Sequence, residues 1–577
     1  MKKNLFQLFP FLTFLFAIVL AGLVAHVYFH SGFPYTHDGE NHLARFASYI
    51  LAIHEHQFPP RFASSLFNHY GYPVFDFNYP LANMLSLPFS FAHIHYEITF
   101  KIIVFLSILF GILGSKIWMA KLGFDKKTQL FVMAIFAIDP YLLSAITFRG
   151  NIGEILAYCL LPWLFLIIEI IAHHELSWRS PKYVFFLFLF ACFWLSHNIT
   201  AVFAIPLIFI YATTRFKKEW RTWLNFGGIF LGSVALSLWF WLPAIFEKKY
   251  IVIDSVALSK EFLLHFPTFN QLLFGPLRFG FSFPGPIDSL SFSVGFVQLF
   301  LLILFFVVMG KVFWQKKWMK KHILFLVCGT LAITLFVLQL EVTKPLWIFF
   351  TDFARYIQFP WRLTIFWEVV LLPIAGFVFA SVKKPWKIFL CALLLWQTLA
   401  FSRTKAADYF HRDLRDYDFF SQTTTTLNED RAKTFTYDNI GVWQPAPQIL
   451  SGSAQVTVQN WGGSKHIYEL QVTQPSIIVE PLMNFPGWET RIKELGKPAK
   501  NISFIDSPEI AGRLAYQLPI GSYQVETQFT QHTWPRMIGN SVSVVMFVVF
   551  FFWFIYTIWI YRKNMHVLWP QKLPNQS

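Results

Sequence analysis

Charged and titratable side chains crowd into the segment Tyr35–Arg45, directly after the first long apolar run of the chain. Its acids are Asp38 and Glu40, and its imidazoles are His37 and His42. A carboxylate that is partly desolvated at a membrane surface can act as a general base. We therefore predict a catalytic role for Asp38, with Glu40 beside it. His37 and His42 become candidates for substrate binding.

Asp38 also suits the first position of a helix, and this second interpretation stays open. Asp is a favoured N-cap, and apolar residues with helical spacing follow it. These residues are Leu43, Phe46, Ala47, Ile50 and Leu51. The pattern predicts an amphipathic helix that lies on the membrane surface and that Asp38 could merely cap. The crowding of titratable groups within two helical turns favours catalysis.

Three further polar segments supply cationic and hydrogen-bonding side chains. They are Thr147–Glu154, with Arg149 and Glu154; Ser196–Thr200, with His197 and Asn198; and the region of Arg355 and Arg362. A guanidinium matches the geometry of a phosphate, so the arginines and His197 are predicted to bind a lipid phosphate. Glu154 and Asn198 are candidates for substrate binding. Arg355 and Arg362 could instead extend to lipid headgroups, and both interpretations stay open.

The composition shows which elements must position these residues. The chain has 577 residues, of which 55% are hydrophobic, 20% aromatic and only 14% charged. A soluble chain of this size cannot bury so much apolar surface, whereas runs of about 20 apolar residues suit spanning helices. We therefore predict a polytopic α-helical membrane protein with about twelve spans.

The predicted spans are separated by short polar connections, apart from three long ones. The spans are Leu5–Phe29, Ile98–Ala120, Leu130–Thr147, Glu154–Ala172, Tyr183–Ser196, Ile199–Thr213, Leu224–Phe246, Leu290–Met309, Ile323–Leu340, Leu363–Ala380, Ile388–Phe401 and Met537–Tyr561. The long connections are expected to carry function. They are the first outer loop (31–79), the second outer loop (247–288) and the region 402–536.

The net charge of +15 is distributed unevenly. Lys and Arg concentrate in alternate connections, including Lys116–Lys127, Lys311–Lys321 and the carboxy-terminal tail, as the positive-inside rule requires. Both termini are therefore predicted in the cytoplasm, and the three long connections outside it. The same distribution argues against nucleic acid as a partner.

The region 402–536 differs from the rest of the chain because polar and apolar residues alternate in it. Such stretches include Ala454–Gln459, His466–Val472, Ser476–Glu480 and Tyr523–Phe529. They predict strands of a small extracytoplasmic β-sandwich. The predicted organisation is thus a transmembrane catalytic-type domain (1–401), a β-rich domain (402–536), a final spanning helix (537–561) and a cytoplasmic tail (562–577).

These motifs in this order resemble a bacterial membrane protein family catalogued as 6-pyruvoyl-tetrahydropterin synthase-related. The motifs are the segment His37–His42, Tyr70–Pro80, Arg149–Glu154, Ser196–Thr200 and Phe359–Arg362. The segments Met483–Trp488 and Leu518–Gly521, with the last span, also look like the carboxy-terminal module of YfhO-like membrane proteins. Both groups resemble members of the C-type glycosyltransferase superfamily.

The resemblance implies a C-type glycosyltransferase fold, a polyprenyl-phosphate sugar as donor, and Asp38 in the place of the superfamily's first-loop acid. It also implies the inner membrane of a bacterium as the location. No Asp-x-Asp occurs near Asp38, and Asp38-Gly39-Glu40 is the nearest approach. No cofactor follows from the residues, although Glu40 and Glu154 would suit Mg²⁺ or Mn²⁺ as oxygen ligands. No histidines stand at a spacing that would hold zinc.

The sequence thus favours an inverting glycosyltransferase that moves a sugar from a polyprenyl-phosphate donor to an acceptor outside the cytoplasm. Asp38 would deprotonate the acceptor, and Arg149, His197 and Arg362 would balance the charge of the departing phosphate. The alternative is a lipid or polysaccharide transporter, which would use acids within its spans, such as Glu169 and Glu368. The donor sugar and the acceptor do not follow from the sequence.

Overall fold

The computed structural model describes residues 2–568 except 217–218, 257, 286, 321, 438–441 and 495, and only the backbone of 2–8 and 561–568. The predicted tail 562–577 lies in large part outside the described residues. The helices are α1 (Lys2–Val24), α2 (Gly39–His54), α3 (Val74–Phe77), α4 (Leu81–Phe91), α5 (Tyr96–Lys121), α6 (Lys126–Ala137), α7 (Pro140–Ser144), α8 (Ile152–Ala172), α9 (Pro181–Trp194), α10 (Asn198–Arg215), α11 (Trp220–Phe246), α12 (Ile253–Val256), α13 (Phe269–Phe274), α14 (Phe296–Trp314), α15 (His322–Val337), α16 (Lys344–Phe349), α17 (Thr351–Ala354), α18 (Thr364–Ser381), α19 (Lys384–Phe401) and α20 (Trp534–Leu568).

Eight helical stretches of the described chain are long and apolar enough to cross a membrane, which makes this a multi-pass membrane protein. They are Tyr96–Lys121, Lys126–Arg149, Ile152–Ala172, Asn198–Arg215, Trp220–Tyr250, Phe296–Trp314, Pro360–Ser381 and Trp534–Ile560. The pair α15 and Glu341–Phe349 would be a ninth, but it bends by 91°. The prediction of about twelve is not confirmed. The other three predicted spans correspond to α1, α9 and α19, which are helical but do not meet these criteria.

The helices form one bundle in which α18 and α8 are almost wholly buried. Helix α5 packs on α6 and α8, α11 packs on α9 and α20, and α18 packs on α14, α15 and α6. Pro162 and Pro373 lie inside α8 and α18, where neighbouring helices in a bundle can satisfy the freed backbone groups. The outer side of α20 exposes a continuous set of Phe and Val side chains, as expected of a helix that faces lipid.

The strands are β1 (Phe33–Pro34), β2 (Tyr409–Phe410), β3 (Gln448–Trp461), β4 (Lys465–Met483), β5 (Trp488–Glu494), β6 (Lys500–Ile502), β7 (Arg513–Leu518) and β8 (Gly521–Phe529). Strands β3 to β8 form a single antiparallel sheet of order β3-β4-β8-β5-β6, with β7 also paired to β4. The predicted β-sandwich is therefore corrected to one sheet. The reason is that β4 is 19 residues long, so its first half pairs with β8 and its second half with β7.

We call residues 402–437, which precede the sheet, the cover segment. Its strand β2 pairs antiparallel with β1 at the start of the first outer loop, with Phe33 opposite Phe410. It also bonds to the second outer loop, where Lys433 donates its N–H to the carbonyl of Tyr250 at 2.9 Å. The long connections thus meet at one end of the bundle, which we call the outer end.

Helix α2 begins after Asp38 as predicted, but it does not lie half exposed on a surface. Its polar side is buried as well as its apolar side, including His42 and Arg45. Arg45 donates from Nε to the hydroxyl of Thr424 at 3.1 Å and from a terminal nitrogen to Asn78 Oδ1 at 3.0 Å. The cover segment thus lies over the polar side of α2, while the position of this helix at the membrane surface stays a prediction.

The sidedness of the outer end is a prediction that labelling can check. Helix α14 separates the second outer loop from Lys317, and its 19 residues correspond to about 28 Å. We therefore expect a membrane-impermeant thiol reagent to modify Lys465→Cys in intact cells and to leave Lys317→Cys unmodified. The control is Lys317→Cys in opened vesicles, where it should react. Modification of Lys317→Cys in intact cells would reverse the topology.

Candidate active site

Asp38 is fixed beside the turn that joins α7 to α8. The N–H of His37 donates to the carbonyl of Phe148 at 3.0 Å, and that of Asp38 to the carbonyl of Arg149 at 2.8 Å. Residues 145–149 form a π-helical turn, a feature often found at functional sites. The first outer loop therefore docks on the backbone that presents Arg149.

The carboxylate of Asp38 does not cap its own helix. It accepts no hydrogen bond from the first N–H groups of α2, all of which the structure describes. Instead Oδ2 accepts from Asn151 Nδ2 at 3.3 Å, and the side chain is half-buried. It also lies within electrostatic range of Arg149 and Arg362. This position argues against the interpretation that Asp38 only caps α2, because a side chain with that role would point at the helix.

Asn151 links Asp38 to the rest of the polar cluster. As the N-cap of α8, its Oδ1 accepts the N–H of Glu154 at 3.0 Å. The same oxygen accepts the hydroxyl of Tyr79 at 3.0 Å, and His42 Nε2 lies 3.4 Å from that hydroxyl. Burial lowers the pKa of His42 well below its usual value, and Arg45 and His197 act in the same direction. His42 is therefore a neutral member of the cluster.

Arg149 and Glu154 form a buried ion pair, and Tyr141 donates its hydroxyl to the same carboxylate. Arg149 also lies over the ring of Trp361, with its Cζ 4.8 Å from the ring centre. Arg362 approaches the same indole at 5.9 Å, so two guanidinium groups contact one aromatic ring. Glu154 balances only one of these two positive charges. The second positively charged guanidinium group therefore lies near Asp38 without a carboxylate partner of the kind that Glu154 provides to Arg149.

Arg362 leaves more of its hydrogen-bonding capacity unused than Arg149 does. One terminal nitrogen donates to Gln358 Oε1 at 2.7 Å and more weakly to the carbonyl of Ile357 at 3.3 Å. Its buried Nε has no hydrogen-bond partner within the described chain. A buried unsatisfied donor is unusual, which makes this nitrogen a candidate to donate to an anion.

His197 is close to these charges but is not itself charged. It caps α10 and its Nδ1 accepts the N–H of Thr200 at 3.3 Å, which leaves Nε2 as the protonated nitrogen. Burial, with the nearby Arg362 and Arg149, lowers the pKa of His197 to about 3. The role of His197 in balancing phosphate charge stays a prediction, and a neutral imidazole would take part in it by donating a hydrogen bond from Nε2.

Other predicted residues lie near the cluster or away from it. The ring of His37 stacks on Phe281 of the second outer loop, with 4.8 Å between ring centres. Asn198 donates to the carbonyl of Phe77 at 2.7 Å, and its buried Oδ1 has no partner within the described chain. Glu40 instead pairs with Arg412 at 2.6 Å, and Arg355 approaches Asp254 at 3.5 Å. The last two belong to separate ion pairs.

These contacts decide whether Glu40 and Glu154 could together hold a divalent ion. Glu154 is bound to Arg149 and Tyr141, whereas Glu40 is bound to Arg412. Each carboxylate is thus neutralised by its own arginine. The two do not form a pair of oxygen ligands that would fit Mg²⁺ or Mn²⁺.

Gly150 allows the two parts of the site to approach. It has a φ of 61°, and a Cβ there would come within 2.3 Å of Thr36 Oγ1 and 3.0 Å of the Gly39 nitrogen. Gly123 is also left-handed, with a φ of 87°, but a Cβ there would meet nothing within 4 Å. The first outer loop thus approaches the turn after Arg149 so closely that only a glycine fits there.

This difference predicts the effect of two alanine substitutions. Gly123→Ala should lower the free energy of unfolding by about 1–2 kcal/mol, because an alanine in the left-handed conformation is destabilised by that amount. Gly150→Ala should lower it by about 1–3 kcal/mol more, because a methyl group must also displace the first outer loop. Equilibrium unfolding of both variants in mixed detergent micelles measures the difference. Equal losses would mean that the contact with Thr36 is loose.

Comparisons with known proteins give a limited answer. No family model and no curated protein matches the chain. Among solved structures, the chain is similar to the cryo-EM structure of arabinofuranosyltransferase AftD from Mycobacteria, with 16% identity over 67% of this chain and a TM-score of 0.40. A second structure of that enzyme, with an arginine-to-serine substitution, gives 16% identity, 67% coverage and a TM-score of 0.41.

The chain spans only about a quarter of the length of that arabinofuranosyltransferase, 26% and 27% in the two structures. A likeness at this level carries neither activity nor residue roles to this protein. The resemblance to the pterin synthase-related and YfhO-like groups stays a prediction. Function is therefore inferred from the geometry of the site.

Proposed function

We propose that this protein is a membrane glycosyltransferase of the C-type architecture. It transfers a sugar from a polyprenyl-phosphate-linked donor to a glycan or glycolipid acceptor outside the cytoplasm. The observation that carries the proposal is the carboxylate of Asp38, which accepts no hydrogen bond from its own helix and is held by Asn151 beside Arg149 and Arg362. A base and a cationic position then lie next to each other, as transfer from a phosphate requires.

In this reaction Asp38 takes the proton of the acceptor hydroxyl while the acceptor oxygen attacks the anomeric carbon. The bond from that carbon to the phosphate oxygen breaks on the opposite side, so the configuration inverts. The phosphate leaves with the electron pair and binds at Arg362, whose Nε lacks a partner within the described chain. Arg149 contributes from its ion pair with Glu154, and His197 donates a hydrogen bond from Nε2.

The remaining predicted residues are assigned to binding and positioning. His37, beside Phe281, and Asn198, with its unsatisfied Oδ1, are proposed to contact substrate. His42 acts through Tyr79 and Asn151 on the orientation of Asp38. Glu40 and Arg355 are assigned to loop packing rather than to the reaction, because both are held in ion pairs elsewhere.

The proposed location is the inner membrane of a bacterium, with both termini in the cytoplasm and the β-sheet outside. Donor lipid and membrane lipids are then the partners, and nucleic acid is not expected. The exposed apolar sides of α14 and α20 would face the acyl chains. Polyprenyl phosphates lie among the lipids of the bilayer, so the donor would enter the site laterally from the membrane.

A transporter is the second candidate because of two acids buried within the spans. Asp139 and Glu368 lie close enough for their carboxyl groups to interact, and Tyr158 donates to Asp139. Acids within a membrane often mark the path of a proton or an ion. Glu169, in contrast, is paired with Arg215 at 2.6 Å and with Tyr211 at 2.6 Å. It is satisfied and indicates no such path.

One reconstitution experiment distinguishes the two functions. Purified protein in proteoliposomes is supplied with radiolabelled polyprenyl-phosphate sugars and a mixture of envelope glycan acceptors. The proposal expects release of polyprenyl phosphate together with label in the acceptor. Movement of intact glycolipid between leaflets, with no release of polyprenyl phosphate, would instead support the transporter. Glu368→Gln should leave transfer unchanged but would impair such movement.

A further inference from the structure

Three side chains of types that can bind a metal ion lie together at the outer end of α5, apart from the candidate active site. His95 and Glu97 stand at the start of this helix, and His411 comes from the cover segment. Within the described chain, one ligand atom from each residue lies within 4.8 Å of the others. We propose that these three residues form a transition-metal site, with Zn²⁺ as the preferred ion. The proposal does not depend on the reaction assigned to Asp38.

The types of side chain in this group indicate which metal ion the site prefers. Two imidazole nitrogens and one carboxylate oxygen are a common set for Zn²⁺, whereas Mg²⁺ and Ca²⁺ prefer oxygen ligands alone. Three protein ligands leave a fourth position for water. The spacing of 316 residues between His95 and His411 explains why the sequence shows no zinc pattern here.

One ring nitrogen of His95 is held by a backbone carbonyl, an arrangement also found in metal-binding histidines. Its Nε2 donates to the carbonyl of Arg412 at 2.9 Å, which leaves a lone pair on Nδ1. A hydrogen bond from the other ring nitrogen to a carbonyl fixes the tautomer and raises the basicity of the ligand. The lone pair of Nδ1 now accepts only the N–H of Glu97, at a long 3.3 Å.

Glu97 and His411 supply the other two ligands. The Glu97 side chain is only 3% exposed and is anchored by the N–H of Arg412, which donates to Oε1 at 3.0 Å. Its Oε2 lies 3.1 Å from Nδ1 of His411, whose side chain is 64% exposed. The rings of His95 and His411 stack with 5.2 Å between their centres. An exposed ring next to two fixed ligands can turn to complete the site.

The position of the site gives it a structural role. Arg412 contacts Glu97 and His95 through its backbone, and its guanidinium binds Glu40 in the first turn of α2. A bound ion would therefore fasten the cover segment to α5 beside the start of the helix that follows Asp38. We infer that the metal holds the cover segment closed over the polar side of α2.

The test is a comparison of metal affinity between two histidine variants of the full-length protein. His411→Ala removes a ligand at an exposed position. His532→Ala is the matched control, since His532 is also exposed and bonds Glu489 at 2.8 Å without a second histidine. Chelator-treated protein in detergent is titrated with ZnCl₂ by calorimetry, and Co²⁺ is used as a visible probe of coordination.

Wild type and His532→Ala should bind one Zn²⁺ with equal affinity. His411→Ala should bind it at least about 10–100-fold more weakly, since losing even a hydrogen-bond partner of a metal ligand has an effect of that size. The Co²⁺ absorption bands should be lost in His411→Ala alone, and Mg²⁺ should not compete. Glu97→Gln serves as a second variant, with gel filtration as the check of folding. Equal Zn²⁺ affinity in His411→Ala and His532→Ala, or a Co²⁺ spectrum that both retain, would overturn the site.

Discussion

An Asp38→Asn variant should fold normally and transfer sugar roughly two to four orders of magnitude more slowly than wild type. Asparagine has nearly the volume of aspartate, and its Oδ1 can still accept the hydrogen bond from Asn151. It cannot accept the proton of the acceptor hydroxyl, so only the chemical step is lost. The measurement is the single-turnover rate in proteoliposomes, normalised to folded protein.

The matched control for this variant is Asp125→Asn. Asp125 does cap a helix, since Oδ1 accepts the N–H of Thr128 at 3.0 Å at the start of α6. Asn ranks with Asp as an N-cap, so neither stability nor turnover should change appreciably. Wild-type turnover in a folded Asp38→Asn protein would remove Asp38 as the base.

The second large effect is expected at a buried ion network that ties the first outer loop to α11 and α20. Asp76 contacts Arg61 at 3.2 Å and Arg536 at 2.6 Å, and Arg536 also bonds Glu247 at 2.6 Å. The Asp76 and arginine side chains are fully buried. Asp76→Asn would leave two buried guanidinium groups with one carboxylate, and we expect it to lower the free energy of unfolding by about 3–5 kcal/mol.

Unfolding in mixed detergent micelles measures this loss. The control is Glu526→Gln, because Glu526 pairs with Lys465 at 2.6 Å while both side chains are 42% exposed. That substitution should change the free energy of unfolding by about 1 kcal/mol or less. A similar small change in Asp76→Asn would show that water reaches the network.

The sequence predicted the helical segments well because their signal is local. Each apolar run that we assigned to a span contains a helix, and Asp38 precedes α2 as its pattern indicates. The bend of 91° after α15 was missed because length and hydropathy do not report direction. The pairing of β4 with both β7 and β8 was missed for a related reason: alternation predicts strands but not their partners.

The site was predictable only in part. Five predicted residues come together because they lie at helix ends at the outer end of the bundle. They are Asp38, Arg149, Glu154, His197 and Arg362. Asn151 and Tyr79 were overlooked although both fall within the motifs first noticed, at Arg149–Glu154 and Tyr70–Pro80. Tyr141 gave no signal at all. The neutrality of His197 depends on burial, which a sequence does not display.

The cover segment sets the order in which the protein can be completed. Arg45 is bound by Thr424, and the two residues are 379 positions apart in the chain. At 5–20 residues per second, synthesis of that interval takes roughly 20–80 s. During this time α2 has left the ribosome, but the cover segment that will lie over its polar side has not yet been made. The site around Asp38 is thus assembled among the last parts of the molecule during biogenesis, and a nascent chain that stalls before Thr424 leaves Arg45 without that partner.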